Sequence, residues 1–374
     1  MELGSWSLIT APSLLALIPL IVMIVLVFRG RSNVSGMMVG IILGALMMGQ
    51  DLGALAKAFS SSLGSTTALI GVIIMTGAGL GVLMTETGVT HTLVYWIVKR
   101  IGVNTPTKGK LALVICSILI CGLLGTLGGG NAVIAPIMLP ILASLGVTPT
   151  VVATLFKVAG EIGLMVGPLT GVTLITIEVT GLSYGQLMLQ AVLPFSCFWL
   201  AGAWIGCNRA QKRTLGKEAY SVDEDIKHLD SITITPKQKR TTIAFLVAFV
   251  LLVVYGILTK QGTSYALIVM IALAVVVTLV SWTDIDTAVS CVTKGVASQA
   301  NMFLIFITID VLLKLVTLGG GFDAISNLLG GLAKGGGATG VMLAASIVGG
   351  FGIEAAAVAE IKSITEMFGG LAAE

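Results

Sequence analysis

One uninterrupted apolar stretch restricts the fold of this chain more than any other feature of its sequence. Residues 111–156 contain no charged side chain over 46 positions. A transmembrane helix needs about 20 apolar residues, so this stretch must fold back or cross the membrane twice. Further charge-free runs, each long enough for one crossing, lie at 3–28, 181–208, 241–259 and 262–283. The sequence therefore predicts an all-α polytopic membrane protein.

Composition narrows the class further. Charged residues make up 10% of the chain, against about 25% in an average soluble domain. The first apolar run lacks the basic leader and cleavage site of a signal peptide, so we expect a retained span. The net charge of +3 is small, which gives no reason to expect nucleic acid, and the lipid bilayer is the expected environment. Without HExxH, GxSxG or a histidine inside a span, neither an enzyme nor a cofactor or metal site is predicted.

The second half of the chain repeats the hydropathy pattern of the first half at an offset of about 230 residues. At an offset of 233, Asp51 falls on Asp284. After a shorter loop the offset becomes 224, and the glycine-rich segment 125–131 falls on 349–355. The first copy continues through two more spans, whereas the second stops at Glu374. Either the second half has lost two spans or the second copy is C-terminally incomplete, and we expect the latter.

The positions of basic residues predict the orientation of the two copies. Of 21 Lys and Arg residues, 14 lie in the segments 29–31, 99–110 and 207–240, which should be cytoplasmic. Their repeat partners hold only Lys260 and Lys334 and should face the other way. This is the pattern of an inverted-topology repeat, in which the binding site lies near mid-membrane where the copies meet. The alternatives to an inverted repeat are two duplicated halves that face the same way, or a chance similarity in hydropathy.

The repeat predicts a division of the chain into segments. Residues 1–206 form the first repeat, with scaffold spans over about 9–100 and a transport segment over about 111–206. A cytoplasmic linker follows over 207–240, and 241–374 form the second repeat. Each copy should contain a re-entrant hairpin and broken transmembrane helices.

A glycine-rich break, at 124–136, lies in the middle of the long apolar run, and we expect a re-entrant hairpin near 126–131. Inside a membrane, backbone that leaves a helix must be buried in protein or line an aqueous cavity. The free N–H groups of a half-helix N-terminus suit a carboxylate, and C-terminal carbonyls suit a cation. Tight packing through small residues is the alternative. The candidate substrate-binding residues of this break and of its partner near 350–355 are Thr126, Gly128, Gly129, Gly130, Asn131, Gly350 and Gly352.

Acidic side chains in apolar segments are the candidate ion-coupling groups, because a charge at membrane depth is costly without a function. Glu354 lies in the glycine-rich break of the second copy, near 350–355, and Glu360 lies six residues beyond it. Glu161 and Asp310 each have a lysine four residues away, which puts acid and base on one helix face. A structural ion pair is the alternative for each. The coupling ion would be H⁺ or Na⁺, with Na⁺ near Asn131 and Glu354.

Three stretches, 12–49, 64–89 and 124–140, resemble the ion transporter superfamily, which groups gluconate-type permeases, carboxylate symporters and sodium/proton antiporters. The resemblance implies two re-entrant hairpins whose tips meet at the substrate, a homodimer and elevator-like alternating access. Asn131 matches the hairpin tips of the dicarboxylate branch, but the flanking Ser and Thr are missing, and the second tip carries Glu354. The glycine run is more similar to the gluconate-permease and antiporter branches.

Two transport functions fit these residues. The first is proton- or sodium-coupled transport of a small organic anion, a carboxylate or sugar acid, across the inner membrane, which Asn131 and the half-helix N-termini favour. The second is sodium/proton antiport, which Glu354 with Glu161 favours. A channel is disfavoured because an inverted repeat indicates alternating access.

Overall fold

The computed structural model describes residues 2–218, 220 and 234–324, with positions 339, 340, 342, 343, 346, 361, 364 and 365. The helices are α1 (Ile18–Phe28), α2 (Asn33–Met47), α3 (Leu52–Leu63), α4 (Thr66–Glu86), α5 (Val89–Ile101), α6 (Pro106–Leu124), α7 (Leu127–Ser144), α8 (Pro149–Val166), α9 (Gly171–Thr180), α10 (Tyr184–Leu187), α11 (Leu193–Thr214), α12 (Pro236–Leu258), α13 (Ser264–Val280), α14 (Ile285–Ser298) and α15 (Ala300–Leu318). Within these ranges there is no strand, and seven helices are long and apolar enough to cross a membrane. The predicted all-α polytopic membrane protein is confirmed.

Local sequence explains where many helices begin. The side chain of Asp51 accepts a hydrogen bond from the Ala54 N–H at the start of α3. Thr105 caps α6 in the same way, and Pro106 occupies the first helical position, where its missing N–H costs nothing. Asp284 caps α14, so both aspartates that the repeat aligns begin short helices.

The polar segment predicted as a linker over 207–240 is helical at both ends. Helix α11 continues to Thr214, and α12 begins at Pro236. Lys212 and Arg213 lie in the last turn of α11, where positive charge is favourable next to free carbonyls. A helix that leaves the apolar layer can thus continue into polar sequence, which hydropathy alone does not show.

The chain divides into two compact units, Met1–Gly71 with Ala300–Glu374, and Val72–Gln299. These units differ from the segments predicted from the repeat, because helices distant in sequence share a unit. The predicted segments 1–206 and 241–374 stay predictions, as does the cytoplasmic location of the basic loops.

In the first unit, α15 packs on α2 and α3, and α1 packs on α2. Glycine allows the close approach, since a Cβ at Gly40 of α2 would lie 2.9 Å from the Pro19 carbonyl oxygen and 3.3 Å from the Leu312 side chain. In the second unit, a Cβ at Gly295 of α14 would lie 2.4 Å from the Cα of Gly79 on α4.

The two units pack their repeated helices in reciprocal fashion. At the offset of the repeat, α1 to α4 correspond to α12 to α15. The fourth helix of the second copy, α15, packs on α2 and α3. The fourth helix of the first copy, α4, packs on α14 through Gly79, and a Cβ at Gly77 would lie 3.6 Å from Met270 of α13. The repeat and the opposite orientation of its copies both stay predictions.

Candidate functional site

The long apolar run folds as two helices, α6 and α7, separated by a two-residue break. Gly125 ends α6 with φ of 66°, the left-handed region that favours glycine. Thr126 is extended, and its hydroxyl accepts the Gly129 N–H at 3.3 Å as the N-cap of α7. The chain breaks here over two residues only, fewer than the predicted 124–136, because a single glycine turn and a threonine cap suffice.

The glycine run lies inside the first turns of α7 and not in an irregular tip. Its three members differ in environment. Gly128 is exposed, and a Cβ there would meet no atom within 4 Å. Gly129 faces the Thr126 side chain, and a Cβ on buried Gly130 would lie 2.6 Å from Cys121 Sγ on α6. Gly130 therefore lets α7 pack closely on α6, and Gly128 leaves the N-terminal end of α7 uncovered.

Asn131 joins three helices through its amide. Its Oδ1 accepts a hydrogen bond from Ser117 Oγ of α6 at 2.7 Å. Its Nδ2 donates to the Phe156 carbonyl oxygen of α8 at 2.9 Å. The predicted substrate-binding amide thus makes hydrogen bonds within the protein that hold α7 against α6 and α8. Its role toward a substrate stays a prediction.

A second break follows α8 and brings two threonines together. Thr170 and Thr173 are nearly inaccessible to solvent, and Thr170 caps α9. Thr173 Oγ1 donates to the Met165 carbonyl oxygen at 2.9 Å, and the Tyr184 hydroxyl donates to the Val166 carbonyl oxygen at 2.6 Å. Thr170 Oγ1 donates to the Leu164 carbonyl oxygen. The last carbonyls of α8 are therefore paired by side chains in place of a continuing helix.

The two breaks lie against each other. A Cβ at Gly125 would be 3.7 Å from Thr170 Cα, so the backbone segments are in contact. The approach depends on small residues, since a Cβ at Gly167 would lie 2.4 Å from the Gly122 carbonyl oxygen and one at Gly163 would lie 2.6 Å from the Ile118 carbonyl oxygen. As a result, the N-termini of α7 and α9 and the C-termini of α6 and α8 meet. Helix N-termini offer N–H groups to an anion, and the carbonyls at the end of α6 could face a cation, whereas the last carbonyls of α8 are already paired.

The two predicted acidic residues that the structure describes, Glu161 and Asp310, belong to different units. Glu161 is half-buried on α8. It follows Gly160, where a Cβ would lie 2.3 Å from the Leu127 side chain of α7, and it precedes the break at Gly167. Asp310 is fully buried on α15, and its carboxylate lies 2.8 Å from Lys314 Nζ, which confirms an ion pair at the predicted spacing. The predicted residues Glu354, Glu360, Gly350 and Gly352 lie outside the described part of the chain.

Sequence reasoning missed Ser117, Thr170, Thr173 and Tyr184 at these breaks. Thr170 could have been predicted as a helix N-cap, because a threonine that follows Gly167-Pro168 and precedes a new apolar run is typical of a helix start. Ser117 had none, since a serine inside an apolar helix usually bonds its own backbone. Its contact with Asn131 depends on how α6 and α7 fold back.

Comparison with known protein families gives a match to a family of membrane transporters. Residues 152–365, more than half of the chain, match the family described as "Tripartite ATP-independent periplasmic transporter, DctM component". The chain belongs to the DctM family. No curated protein sequence matches it.

Membership in the DctM family makes this chain an integral inner-membrane protein and a component of a secondary transporter. The family is a transporter family and not a family of enzymes. The match supports the general resemblance to secondary transporters but does not reach the gluconate-permease, symporter or antiporter branches. It begins within α8, so it contains the second break, whereas α6 and α7 precede it.

Proposed function

We propose that this DctM-family chain transports a small organic anion, a carboxylate or sugar acid, across the inner membrane, driven by a proton or sodium gradient. The observation that carries the proposal is the meeting of the break at Gly125–Thr126 with the break at Gly167–Thr170. Two helix N-termini and two helix C-termini converge there within helices that fit a membrane span. Transporters place anionic groups at such N-termini and coupling cations at unwound carbonyls.

The N-terminus of α7 is the end best suited to the anion. Gly128 is exposed and has no side chain, so a carboxylate can approach the first-turn N–H groups without steric obstruction. Thr126, capping the same turn, adds a hydroxyl that lies beside those groups. Asn131 supports this end indirectly, because its hydrogen bonds fix α7 on α6 and α8.

Partners follow from the family description. A component of a tripartite transporter acts with two further components, and the term periplasmic indicates that substrate arrives from that side. We propose that this chain forms the membrane path and receives the anion from a periplasmic partner. The homodimer implied by the resemblance has no support from the family match.

Sodium/proton antiport is the weaker candidate. The family match supports transport of anions and gives no support to antiport. Glu161, half-buried on α8 six residues before Gly167, stays a candidate for taking up a coupling proton.

Binding of anions to the purified full chain tests the proposal. We expect at least one organic anion in a panel of carboxylates and sugar acids to raise the thermal unfolding midpoint, more strongly with Na⁺ or at lower pH than with choline at neutral pH. Gly128→Val should weaken that binding about tenfold or more, because the added side chain covers the helix end. Gly202→Val is the matched control, since a Cβ at Gly202 also meets no atom within 4 Å.

Two results would contradict the proposal. One is a panel in which no organic anion stabilises the chain while Na⁺ alone shifts its pH response, as antiport requires. The other is equal anion affinity in Gly128→Val, Gly202→Val and the unmodified protein, which would move the anion site away from α7.

A further inference from the structure

The ammonium group of Lys314 is surrounded by oxygen atoms from two helices. Its Nζ lies 2.8 Å from Asp310 Oδ2 and donates to Ser61 Oγ and Ser62 Oγ, each at 2.9 Å. An ammonium has three N–H donors, so these three oxygens use all of them. The serines belong to α3 and the aspartate to α15, and together they form a small cradle for one positive charge.

The burial of this cluster is uneven. The side chains of Asp310 and Ser62 are fully buried, whereas 33% of the Lys314 side chain is exposed. Asp310 lies inside α15, which is apolar and long enough to span a membrane. A buried carboxylate is costly unless a cation pairs with it or it takes up a proton. The partly exposed lysine side chain, by contrast, has room to turn away if another cation takes its place.

The positions that the predicted repeat aligns with this pair carry no charge. At the offset of 233, Asp310 corresponds to Gly77 and Lys314 to Gly81. Both glycines pack on Leu124, since a Cβ at Gly77 would lie 2.3 Å from its carbonyl oxygen and one at Gly81 would lie 2.8 Å from its side chain. At these two positions, the aligned helix of the other copy packs through glycine. A charged pair in α15 therefore calls for a reason other than helix packing.

We propose that Asp310, Ser61 and Ser62 form a binding site for a monovalent cation, and that Na⁺ and the Lys314 ammonium compete for it. Carboxylate and hydroxyl oxygens are the ligands that hard cations prefer. The exchange leaves one positive charge beside Asp310 in both states, so the buried carboxylate is never left alone. This inference rests on the proposed function in taking the cation to be the coupling ion, whereas the competition itself concerns binding.

Removal of the tethered competitor tests the site. The full chain is purified with Lys314→Gln, and its thermal unfolding midpoint is measured over a range of NaCl, with choline chloride keeping the ionic strength constant. Because a tethered group acts at millimolar or higher effective concentration, we expect the apparent Na⁺ affinity to increase about tenfold or more. Adding Asp310→Asn to this variant should abolish the sodium response. Lys57→Gln, which removes an exposed lysine of α3, should behave as the unmodified chain.

A sodium response in Lys314→Gln equal to that of the double variant would overturn the proposal and leave a purely structural ion pair. If Lys314→Gln is not recovered as folded protein, chemical labelling of the unmodified chain tests the competition instead. Sodium should then expose Lys314, so an amine-reactive reagent should modify it several-fold faster in NaCl than in choline chloride, relative to Lys57. Equal relative rates would refute the competition. Neither measurement involves the organic anion, so a failure here is separate from a failure of the proposed function.

Discussion

Replacement of Asn131 by alanine distinguishes a residue that holds the hairpin from one that contacts substrate. The change removes two hydrogen bonds, with Ser117 Oγ at 2.7 Å and with the Phe156 carbonyl oxygen at 2.9 Å. Hydrogen bonds between membrane helices contribute about 0.6 kcal/mol on average, up to about 1.7. Two such bonds give an expected loss of about 1 to 3 kcal/mol in the free energy of unfolding.

The assay is unfolding of the purified chain in mixed micelles, followed by helical circular dichroism. A double-mutant cycle with Ser117→Ala isolates the bond between the two side chains, and we expect a coupling energy of about 0.5 to 1.5 kcal/mol. Ser144→Ala is the control, because the Ser144 hydroxyl bonds the Ile141 carbonyl oxygen within its own helix. If Asn131→Ala left stability unchanged while anion affinity fell tenfold, the amide would bind substrate directly and this interpretation would be refuted.

Two further predictions concern packing and pH. Gly295→Ala should lower the free energy of unfolding by about 2 to 3 kcal/mol, because its Cβ would lie 2.4 Å from the backbone of Gly79, which cannot move aside. Gly202→Ala, where the added Cβ meets open space, should leave the free energy of unfolding unchanged. Equal stability of both variants in chemical denaturation would contradict the close contact. Burial lowers the pKa of His91 from 6.5, so His91 favours the folded state above pH 6.5 and this contribution is lost as the pH falls below it. His91→Gln should therefore flatten the loss of thermal stability between about pH 7 and 5, and an unchanged acid dependence would exclude His91 as its source.

The positions of helices could be read from the sequence because each boundary depends on nearby residues. The apolar runs at 241–259 and 262–283 correspond to α12 and α13, and the long run 111–156 is interrupted at Gly125, within the glycine-rich segment. Apolar length, a capping side chain and a left-handed glycine act over a few residues, so their signals remain visible in a linear sequence.

The site was predicted less completely, for a reason that Asn131 illustrates. Its type and its place after a glycine run indicated a polar contact, but the partner could be a substrate or the protein. The partners are Ser117, 14 residues before it, and the Phe156 carbonyl, 25 residues after it. Nothing local specifies those distances, because they depend on how three helices cross.

The sequence by itself determined that this chain is a helical membrane protein with a glycine-rich break in its longest apolar run, because hydropathy, charge and turn residues act locally. Only the tertiary structure decided that the break at Gly125 meets the one at Thr170, and that Lys314 places its ammonium among the oxygens of Asp310, Ser61 and Ser62. Close contacts between helices depend on which faces lack side chains and on the angle at which those faces meet. Those quantities exist only once the helices have packed.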